Sequence, residues 1–314
     1  MMHAFLRSLL LGSLCLLVGA SSAPAQDVRY GSPILPEHRE MYERGLEFLI
    51  STQAEDGAWD SDCGITGICV MAMIASGEDP NFGRYADHVR RGLRFIIGRQ
   101  DERTGFIPSG MYQHGFAMLA LADCYGAVDD RLLWMGHEKK RSVGEALQLA
   151  VRCAVTSQEK NPFGAWRYSA SATDADTSVS GAVLMGLLGA RNAGVAVPDT
   201  AIDKALQYFA NMTTKGGSVG YAGSMGLGDS NARTSICATV FAVAKRKELE
   251  TYAEVRDYVV QLQDGASSQW PCYFRYYVSQ ALFQSDYLAW QVWSRQNTRD
   301  LVKVQAENGA LSLG

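Results

Sequence analysis

Apolar and polar positions divide the chain, from about residue 35 onward, into two alternating kinds of segment. In the first kind, apolar residues recur on one face, as in "GLEFLIST" at residues 45–52, and this spacing predicts an amphipathic helix. In the second kind, nearly every position is apolar or small, as in "CGITGICVMAMIASG" at residues 63–77. A helix that is apolar all round must be buried on all sides. The alternation therefore predicts an outer ring of helices wrapped around an inner ring.

The amphipathic segments form a repeat, in which an anchoring position is followed seven residues later by Gln, or by Thr in one copy. A Gly-rich polar turn with an aromatic residue then precedes the apolar helix. The copies run from Leu46 to Gln53, Leu93 to Gln100, Val151 to Gln158, Leu206 to Thr213 and Arg256 to Gln263. Starting points that are 47, 58, 55 and 50 residues apart indicate a repeat array.

This repeated order of amphipathic helix, Gly-rich turn and apolar helix predicts an all-α fold, an α/α toroid of five to six helical hairpins. An open array would need polar capping repeats, and none is evident at either end, so a closed ring is favoured. A further outer helix near residues 286–296 would close it. The expected toroid domain covers residues 35–300, with an extension at 26–34 and a C-terminal tail at 301–314.

The first 25 residues have the pattern of a secretory signal peptide. Arg7 precedes an apolar stretch at residues 9–18, and Ala-Pro-Ala at residues 23–25 provides the small residues of a cleavage site. We therefore expect the mature chain to begin near Gln26 and to be exported, to the periplasm or the cell exterior.

Composition argues against several partners. The formal net charge is −4 and no run of Lys or Arg stands out, so we expect no nucleic-acid partner. After the signal peptide, no segment has the length of apolar sequence that a membrane span needs. Six cysteines follow, spread singly over apolar stretches without a CxxC pair. Buried thiols are favoured over disulfides, and we expect no metal site and no cofactor.

Three of the turns share a signature. "QAEDGAW" at residues 53–59 and "QEKNPFGAW" at residues 158–166 both read Gln…Gly-x-Trp, and "QDERTGF" at residues 100–106 carries Phe instead of Trp. This signature resembles that of the squalene cyclase and protein prenyltransferase-repeat superfamily, the terpenoid cyclase-like α/α toroids. The resemblance implies a toroid over almost the whole mature chain. It also implies that Gln53, Trp59, Gln158 and Trp166 are structural, with each Gln bound to the backbone of the next hairpin.

The motifs that carry the superfamily's activities are incomplete in this chain. Squalene-type cyclases have Asp-x-Asp-Asp before Thr, whereas "TDADTSVSG" at residues 173–181 places either Ala175 or Thr177 where an acid belongs. The helix "PCYFRYYVSQALFQ" at residues 271–284 lacks the His and Asp-x-Cys of a prenyltransferase zinc site. The Gly-Cys-Gly-Glu-Gln segment of thioester domains is also absent. The resemblance therefore implies an architecture more than an activity.

In a toroid the N-terminal ends of the inner helices meet at one rim, where free N–H groups and helix dipoles favour anionic or polyhydroxylated ligands. We expect the functional site in this bowl. The candidate catalytic residues are Tyr112, His114, Asp174 and Asp176. The candidate ligand-binding residues are Asp62, Asp229, Asn231, Arg233, Tyr273, Tyr276 and Tyr277.

Structural roles compete with these assignments. The positions of Asp62, Asp176 and Asp229 also suit helix N-caps. His114 suits a hydrogen-bonded core position as well as a general base. Asp174 is the preferred acid, because it lies two residues before a sufficient cap.

Three functions remain open, in order of preference. The first is a non-catalytic toroid of the resembled kind that binds a glycan, peptide or isoprenoid in the bowl. The second is an extracytoplasmic polysaccharide lyase or hydrolase. A lyase would use His114 or Tyr112 as base with Arg233 and Asn231 neutralising charge, and a hydrolase would pair Asp174 with Asp62 or Asp229. The third is an isoprenoid cyclase-like enzyme with an altered acid motif.

Overall fold

Helices of two kinds alternate along the chain in the computed structural model, which describes residues 34–223, 231–263 and 270–312. The outer helices are α1 (Pro36–Thr52), α3 (Ala86–Arg99), α6 (Val143–Glu159), α8 (Asp199–Asn211), α10 (Glu250–Val260) and α12 (Tyr287–Val304). The inner helices are α2 (Cys63–Ile74), α4 (Met111–Cys124), α7 (Thr177–Asn192), α9 (Asn231–Val243) and α11 (Pro271–Ser285). A short α5 (Asp130–Leu133) precedes α6, and a 3₁₀ turn (Gln261–Gln263) follows α10. Over these ranges, β-pairing is limited to isolated bridges such as Thr213 with Val219.

The packing order of the helices is that of a double-walled ring. Inner helices pack in chain order, α2 on α4, α4 on α7, α7 on α9 and α9 on α11. Outer helices bridge inner neighbours: α6 contacts α4 and α7, α8 contacts α7 and α9, and α10 contacts α9 and α11. Nearly all of α7 is buried, whereas α8 buries one face. The predicted α/α toroid is confirmed, and its apolar core lies between the two walls.

Close approach of the inner helices depends on glycine. A Cβ built on Gly115 of α4 would lie 2.5 Å from the backbone carbonyl carbon of Ala182 on α7. No side chain fits in that space, so Gly115 lets the two backbones touch. This contact explains why small residues are frequent in the inner segments.

The same hydrogen-bonded turn ends several outer helices. Gln158 Nε2 donates to the carbonyl of Gly164 in its own turn (2.7 Å) and to that of Ala201 on the next outer helix (2.8 Å). Equivalent pairs join Gln53 to Gly57 and His88, and Gln100 to Gly105 and Ala146. Each Gln therefore ties one hairpin to the next, and the structural role expected for Gln53 and Gln158 is confirmed.

The tryptophans of the signature also bind backbone. The indole N–H of Trp59 donates to the carbonyl of Leu49 (3.0 Å), and that of Trp166 donates to Ala154 (2.9 Å). Both rings are buried, at 5% and 1% exposure. Each ring fixes its turn to the outer helix that precedes it.

A further copy of the turn closes the ring. Gln305 Nε2 donates to Gly309 of its own turn (3.0 Å) and to Met41 of α1 (2.9 Å), and α12 packs on α1. The helix expected near residues 286–296 thus extends to Val304. The expected tail from residue 301 is part of the fold as far as residue 312, because this turn binds it to α1.

Three further predictions concern the signal peptide, membrane spans and the cysteines. The predicted signal peptide lies outside the described residues. None of the described helices has both the length and the apolarity to cross a membrane. The six cysteines after residue 25 are free thiols, five of them buried and Cys272 exposed.

Candidate functional site

A cavity of about 470 Å³ lies where the inner helices begin. Tyr112, Ser178 and Ala232 each occupy the second position of their inner helix, and Tyr273 occupies the third position of α11. Among the residues that the structure describes, the lining consists of Tyr112, Tyr168, Ser178, Tyr221, Ala232, Arg233, Trp270 and Tyr273. The volume is in the usual range for small-molecule sites, and most of the wall is aromatic.

Two arginine side chains pack over the tyrosine rings on one side of this cavity. The Arg167 guanidinium lies 5.6 Å from the ring centre of Tyr168 and 5.5 Å from that of Tyr221. Arg233 lies 5.7 Å from the same Tyr221 ring. The hydroxyl oxygens of Tyr168 and Tyr221 are 3.0 Å apart. Cation–π contacts of this kind orient both phenols.

The two carboxylates of the "TDADT" stretch lie behind this wall. Arg167 Nη1 is 3.4 Å from Asp174 Oδ2, and Arg167 Nε is 3.4 Å from Asp176 Oδ2. Asp176 is fully buried, and its Oδ1 accepts from Val179 N–H (2.8 Å) as the N-cap of α7. Burial raises the pKa of Asp176 above its ordinary value. The Asp174 side chain is 63% exposed, and neither carboxylate lines the cavity.

Three of the tyrosines that line the cavity are poor acids because they are partly or fully buried. Burial raises the pKa of Tyr112 and of Tyr221 well above the ordinary value, and raises that of Tyr273 to about 12. A phenol whose pKa is raised holds its proton tightly. These side chains therefore suit ligand hydroxyl recognition and are poorly suited to act as bases.

His114 has a structural role, which is one of the two roles that the sequence allowed for it. Its Nδ1 accepts from Ile107 N–H (3.1 Å), and its Nε2 donates to the carbonyl of Ala150 (3.0 Å). The ring is fully buried, and burial lowers its pKa to about 4. It does not line the cavity. The general-base role expected for His114 therefore lacks both access and a free ring nitrogen.

The fourth residue of other inner helices also accepts a hydrogen bond from a turn amide. Thr66, Ser180 and Thr234 are the fourth residues of their helices, as His114 is of α4. Their hydroxyl oxygens accept from the turn amides of Trp59, Trp166 and Val219, at 3.1, 3.0 and 3.1 Å. His114 is thus one of a series of side chains that tie each turn to its inner helix.

Of the remaining candidates, some line the cavity, some lie elsewhere in the fold, and one lies outside the described residues. Asp62 accepts from Gly64 and Ile65 as the N-cap of α2 and does not line the cavity. Asn231 Oδ1 accepts from the Tyr258 hydroxyl (3.0 Å). Asp229 lies outside the described residues. Of the eleven candidates, the structure places Tyr112, Arg233 and Tyr273 in the cavity wall, whereas Tyr276 and Tyr277 lie deeper on α11.

Sequence reasoning missed five lining residues, and the repeat contained signals for four of them. Tyr168 and Tyr221 both lie two residues after the turn residue, Trp166 in one repeat and Val219 in the next. Ser178 and Ala232 share the helix position of Tyr112. Trp270 is the aromatic residue of the fifth turn, but it directly precedes its inner helix, whereas Tyr168 and Tyr221 lie nine and ten residues before theirs. Across the described ranges, no group of three or more His, Cys, Asp or Glu residues is arranged to hold a metal ion.

Comparison with known proteins identifies the family. Residues 39–267 match the family described as "Domain of unknown function (DUF6288)". The chain belongs to this family. A search among curated proteins finds no match to the DUF6288 chain.

Two solved structures share the fold of the DUF6288 chain. An inactive variant of the alpha-1,6-mannanase GH76A of Salegentibacter sp. HEL1_6, in complex with alpha-1,6-mannotetrose, has a TM-score of 0.62 at 8% identity and covers 88% of this chain and 93% of its own. A D-mannose isomerase has a TM-score of 0.60 at 10% identity, with 90% of each chain covered. At such identities the likeness concerns the fold alone.

The expected membership of the squalene cyclase and prenyltransferase-repeat superfamily is wrong. The family match is to DUF6288, and the structural neighbours are a mannanase and an isomerase. The Gln…Gly-x-Trp turn misled the sequence reading because its role in this chain is packing. It joins an outer helix to the next hairpin and carries no information about the ligand.

Proposed function

We propose that the DUF6288 chain is a carbohydrate-active protein that binds a saccharide in the cavity at the start of the inner helices. The observation that carries this proposal is the cavity wall, in which five aromatic side chains, a serine and an arginine converge. Flat aromatic faces pack against sugar rings, and phenol and serine hydroxyls pair with sugar hydroxyls. The two structural neighbours, a mannanase bound to mannotetrose and a mannose isomerase, support a saccharide over a peptide.

Calorimetric titration with defined saccharides tests this proposal. The panel would contain mannose, α-1,6-linked mannotetraose, cellotetraose and a galacturonate tetramer. Tyr168→Ala removes an aromatic face from the mouth of the cavity, and we expect it to weaken binding about tenfold. Phe82→Ala removes an aromatic side chain that is 81% exposed and does not line the cavity, so it should leave affinity unchanged. If no saccharide binds, or if both variants weaken binding equally, the proposal fails.

Glycoside hydrolysis is a second candidate, and the acidic pair beside the wall favours it. Asp174 and Asp176 share Arg167, which stacks on two lining tyrosines. A carboxyl group whose pKa is raised by burial is the kind of group that protonates a glycosidic oxygen, with a second carboxylate as partner. Neither carboxylate lines the cavity and Asp176 is fully buried, so hydrolysis by this pair requires a rearrangement on saccharide binding that exposes Asp176 and separates both carboxylates from Arg167. The tyrosines and His114 give a lyase less support, because none of them is a ready base.

Release of reducing ends from the saccharide panel tests this second candidate. Asp176→Asn keeps an N-capping side chain for α7 but removes the acidic proton, so hydrolysis should fall at least a hundredfold with the fold intact. Asp62→Asn makes the same change at the cap of α2, away from the cavity, and should retain full activity. Unchanged hydrolysis in Asp176→Asn would rule out its role as the acid.

Export is part of the proposal, on the evidence of the N-terminal sequence alone. We expect the protein purified from its native host to begin at or near Gln26 and to be found outside the cytoplasm. Sequencing of the mature N-terminus would test it, and a mature protein that retains residues 1–25 would contradict it.

A further inference from the structure

The outer helix α12 presents a basic and apolar face to the outside of the ring. Its positions 288, 292, 295, 299 and 303 follow each other at intervals of three or four residues, so they share one face of the helix. All five side chains are exposed. They are Leu288, Val292, Arg295, Arg299 and Lys303. We call this set the basic face; it has three cations and, at its N-terminal end, two apolar side chains.

The neighbouring outer helix α1 presents an acidic face to the outside. Glu40, Glu43 and Glu47 follow each other at the same helical spacing, and all three are exposed. The exposed Glu37 and Arg39 lie on the two flanks of this stripe and offset each other in charge. We call the three glutamates the acidic face. Two outer helices that pack on each other thus carry outward faces of opposite charge.

Contacts between the two helices set their relative direction and height. Thr298 Oγ1 of α12 lies 3.4 Å from His38 Nδ1 of α1, and Gln305 Nε2 donates to the carbonyl of Met41. Residue numbers therefore rise in the same direction along both helices, which makes them parallel. The acidic and basic faces lie side by side at similar heights along the ring axis.

Ion pairs within the protein engage one charge on each face. Lys303 Nζ lies 3.5 Å from Asp300 Oδ1, and Arg84 pairs with Glu47. The other charges of the two faces form no ion pair with any of the described residues. Both faces therefore keep charges that a complementary surface can engage.

We propose that these faces form the contact of a homodimer, in which the basic face of each protomer packs on the acidic face of its partner. Charge selects the symmetry. A two-fold axis parallel to the helices places basic on acidic twice, whereas an axis across them would place like charges together. Closed two-fold dimers are also the commonest oligomers of soluble proteins.

Apolar side chains on the basic face add to the contact. Leu288 is 73% exposed and Val292 is 59% exposed. Exposed ion pairs by themselves contribute little to stability or binding, so a contact made of charges alone would be weak. Removal of these two side chains from water favours association without regard to direction, while the charges fix which faces meet.

This symmetry has a consequence for the cavities of the two protomers. Each cavity lies where the inner helices begin, hence at one end of the ring axis. Rotation about an axis parallel to the ring axis leaves that direction unchanged, so both cavities open to the same side of the dimer. Two such cavities can engage one polysaccharide at two points, a consequence that rests on the proposed saccharide binding. The dimer itself does not rest on it.

Sedimentation velocity of the full-length mature protein tests the dimer. We expect twice the monomer mass at high protein concentration, a return to the monomer on dilution, and weaker association in high salt, because salt screens the charges. A monomer at every concentration up to about 100 μM would overturn the proposal. It would leave saccharide binding, which is measured separately by calorimetry, untouched.

Charge reversal tests the assignment of the two faces. Arg299→Glu and Glu40→Arg should each weaken dimerisation about tenfold, because like charges then meet. The double variant restores opposite charges and should recover most of the affinity, which a general loss of structure would not do. Arg103→Glu changes an exposed arginine away from both helices and should leave dimerisation unchanged. A dimer that survives both single reversals, or a double variant that stays monomeric, would overturn the assignment.

Discussion

At the scale of single residues, His114 illustrates how a chemically suggestive side chain can be structural. Its ring accepts a hydrogen bond from one backbone amide and donates one to a backbone carbonyl, as a neutral imidazole of fixed tautomer. In neighbouring repeats a Thr or Ser hydroxyl accepts the hydrogen bond from the backbone amide instead. The buried position makes protonation unfavourable, and this gives the residue a measurable signature.

We predict that His114 makes the fold sensitive to acid. The folded-state pKa, about 4, lies below the ordinary value of 6.5, so the folded protein favours the neutral ring. The stability linked to the neutral ring is complete above pH 6.5 and is lost as the pH falls toward 4. The loss should be roughly 3 kcal/mol over that interval, measured as the free energy of unfolding in urea.

Two variants isolate this effect. His114→Thr installs the side chain used at Thr66 and Thr234; it should lower stability at pH 7 but show a flatter pH dependence between 6.5 and 4. His137→Thr replaces an exposed histidine and should retain the wild-type slope. An unchanged slope in His114→Thr would show that other groups are responsible.

At the scale of elements, the glutamine at the end of an outer helix joins consecutive hairpins. Its amide satisfies two carbonyls that the turn would otherwise leave unpaired. Thr213 occupies the equivalent place in the fourth repeat, but its hydroxyl donates back to Phe209 of its own helix (2.8 Å). Thr213 therefore does not make the link to the next outer helix that Gln makes in the other copies, and for this reason the fourth copy of the motif is weak.

We predict that Gln158→Ala lowers the free energy of unfolding by roughly 2–4 kcal/mol, because two carbonyls lose their donor in a buried site. Gln207→Ala removes an exposed amide that bonds only to Asn211 on the same helix and should cost less than about 0.5 kcal/mol. Urea unfolding of both variants measures the difference. Equal losses would show that the glutamine link contributes little.

At the scale of the whole molecule, the ring is closed by the last turn of the chain. "QAENGAL" at residues 305–311 repeats five of the seven residues of "QAEDGAW" at residues 53–59. Its glycine lies against α1: a Cβ on Gly309 would approach the carbonyl oxygen of Arg44 to 2.1 Å, and its φ is +89°. First and last outer helices are thus joined by the same device that joins consecutive ones.

We predict that Gly309→Ala opens this closure. A backbone collision added to a left-handed φ should cost about 3 kcal/mol or more, and amide hydrogen exchange should speed up in α1 and α12 first. Gly194→Ala is the control: φ is +93° but no neighbour lies within 4 Å, so it should cost about 1–2 kcal/mol. Uniform loss of protection across all helices in Gly309→Ala would contradict a local closure.

The sequence by itself determined the architecture of this protein. Helix period, apolar content and the recurrence of Gln and Gly depend on neighbours along the chain, and these gave the alternating rings and the structural role of Gln53 and Gln158. The closing turn was also encoded, as a near copy of the first turn.

The tertiary structure alone decided which polar residues share the cavity. Hydroxyls, carboxylates and His114 lie within the first turn of helices that look alike in sequence, and a shift of one position moves a side chain from the cavity to the core. Tyr112 faces the cavity, whereas His114, two residues later, caps a turn. The reason is geometric: two residues turn a helix by about 200°, so burial and pairing follow from neighbouring helices that are remote in sequence.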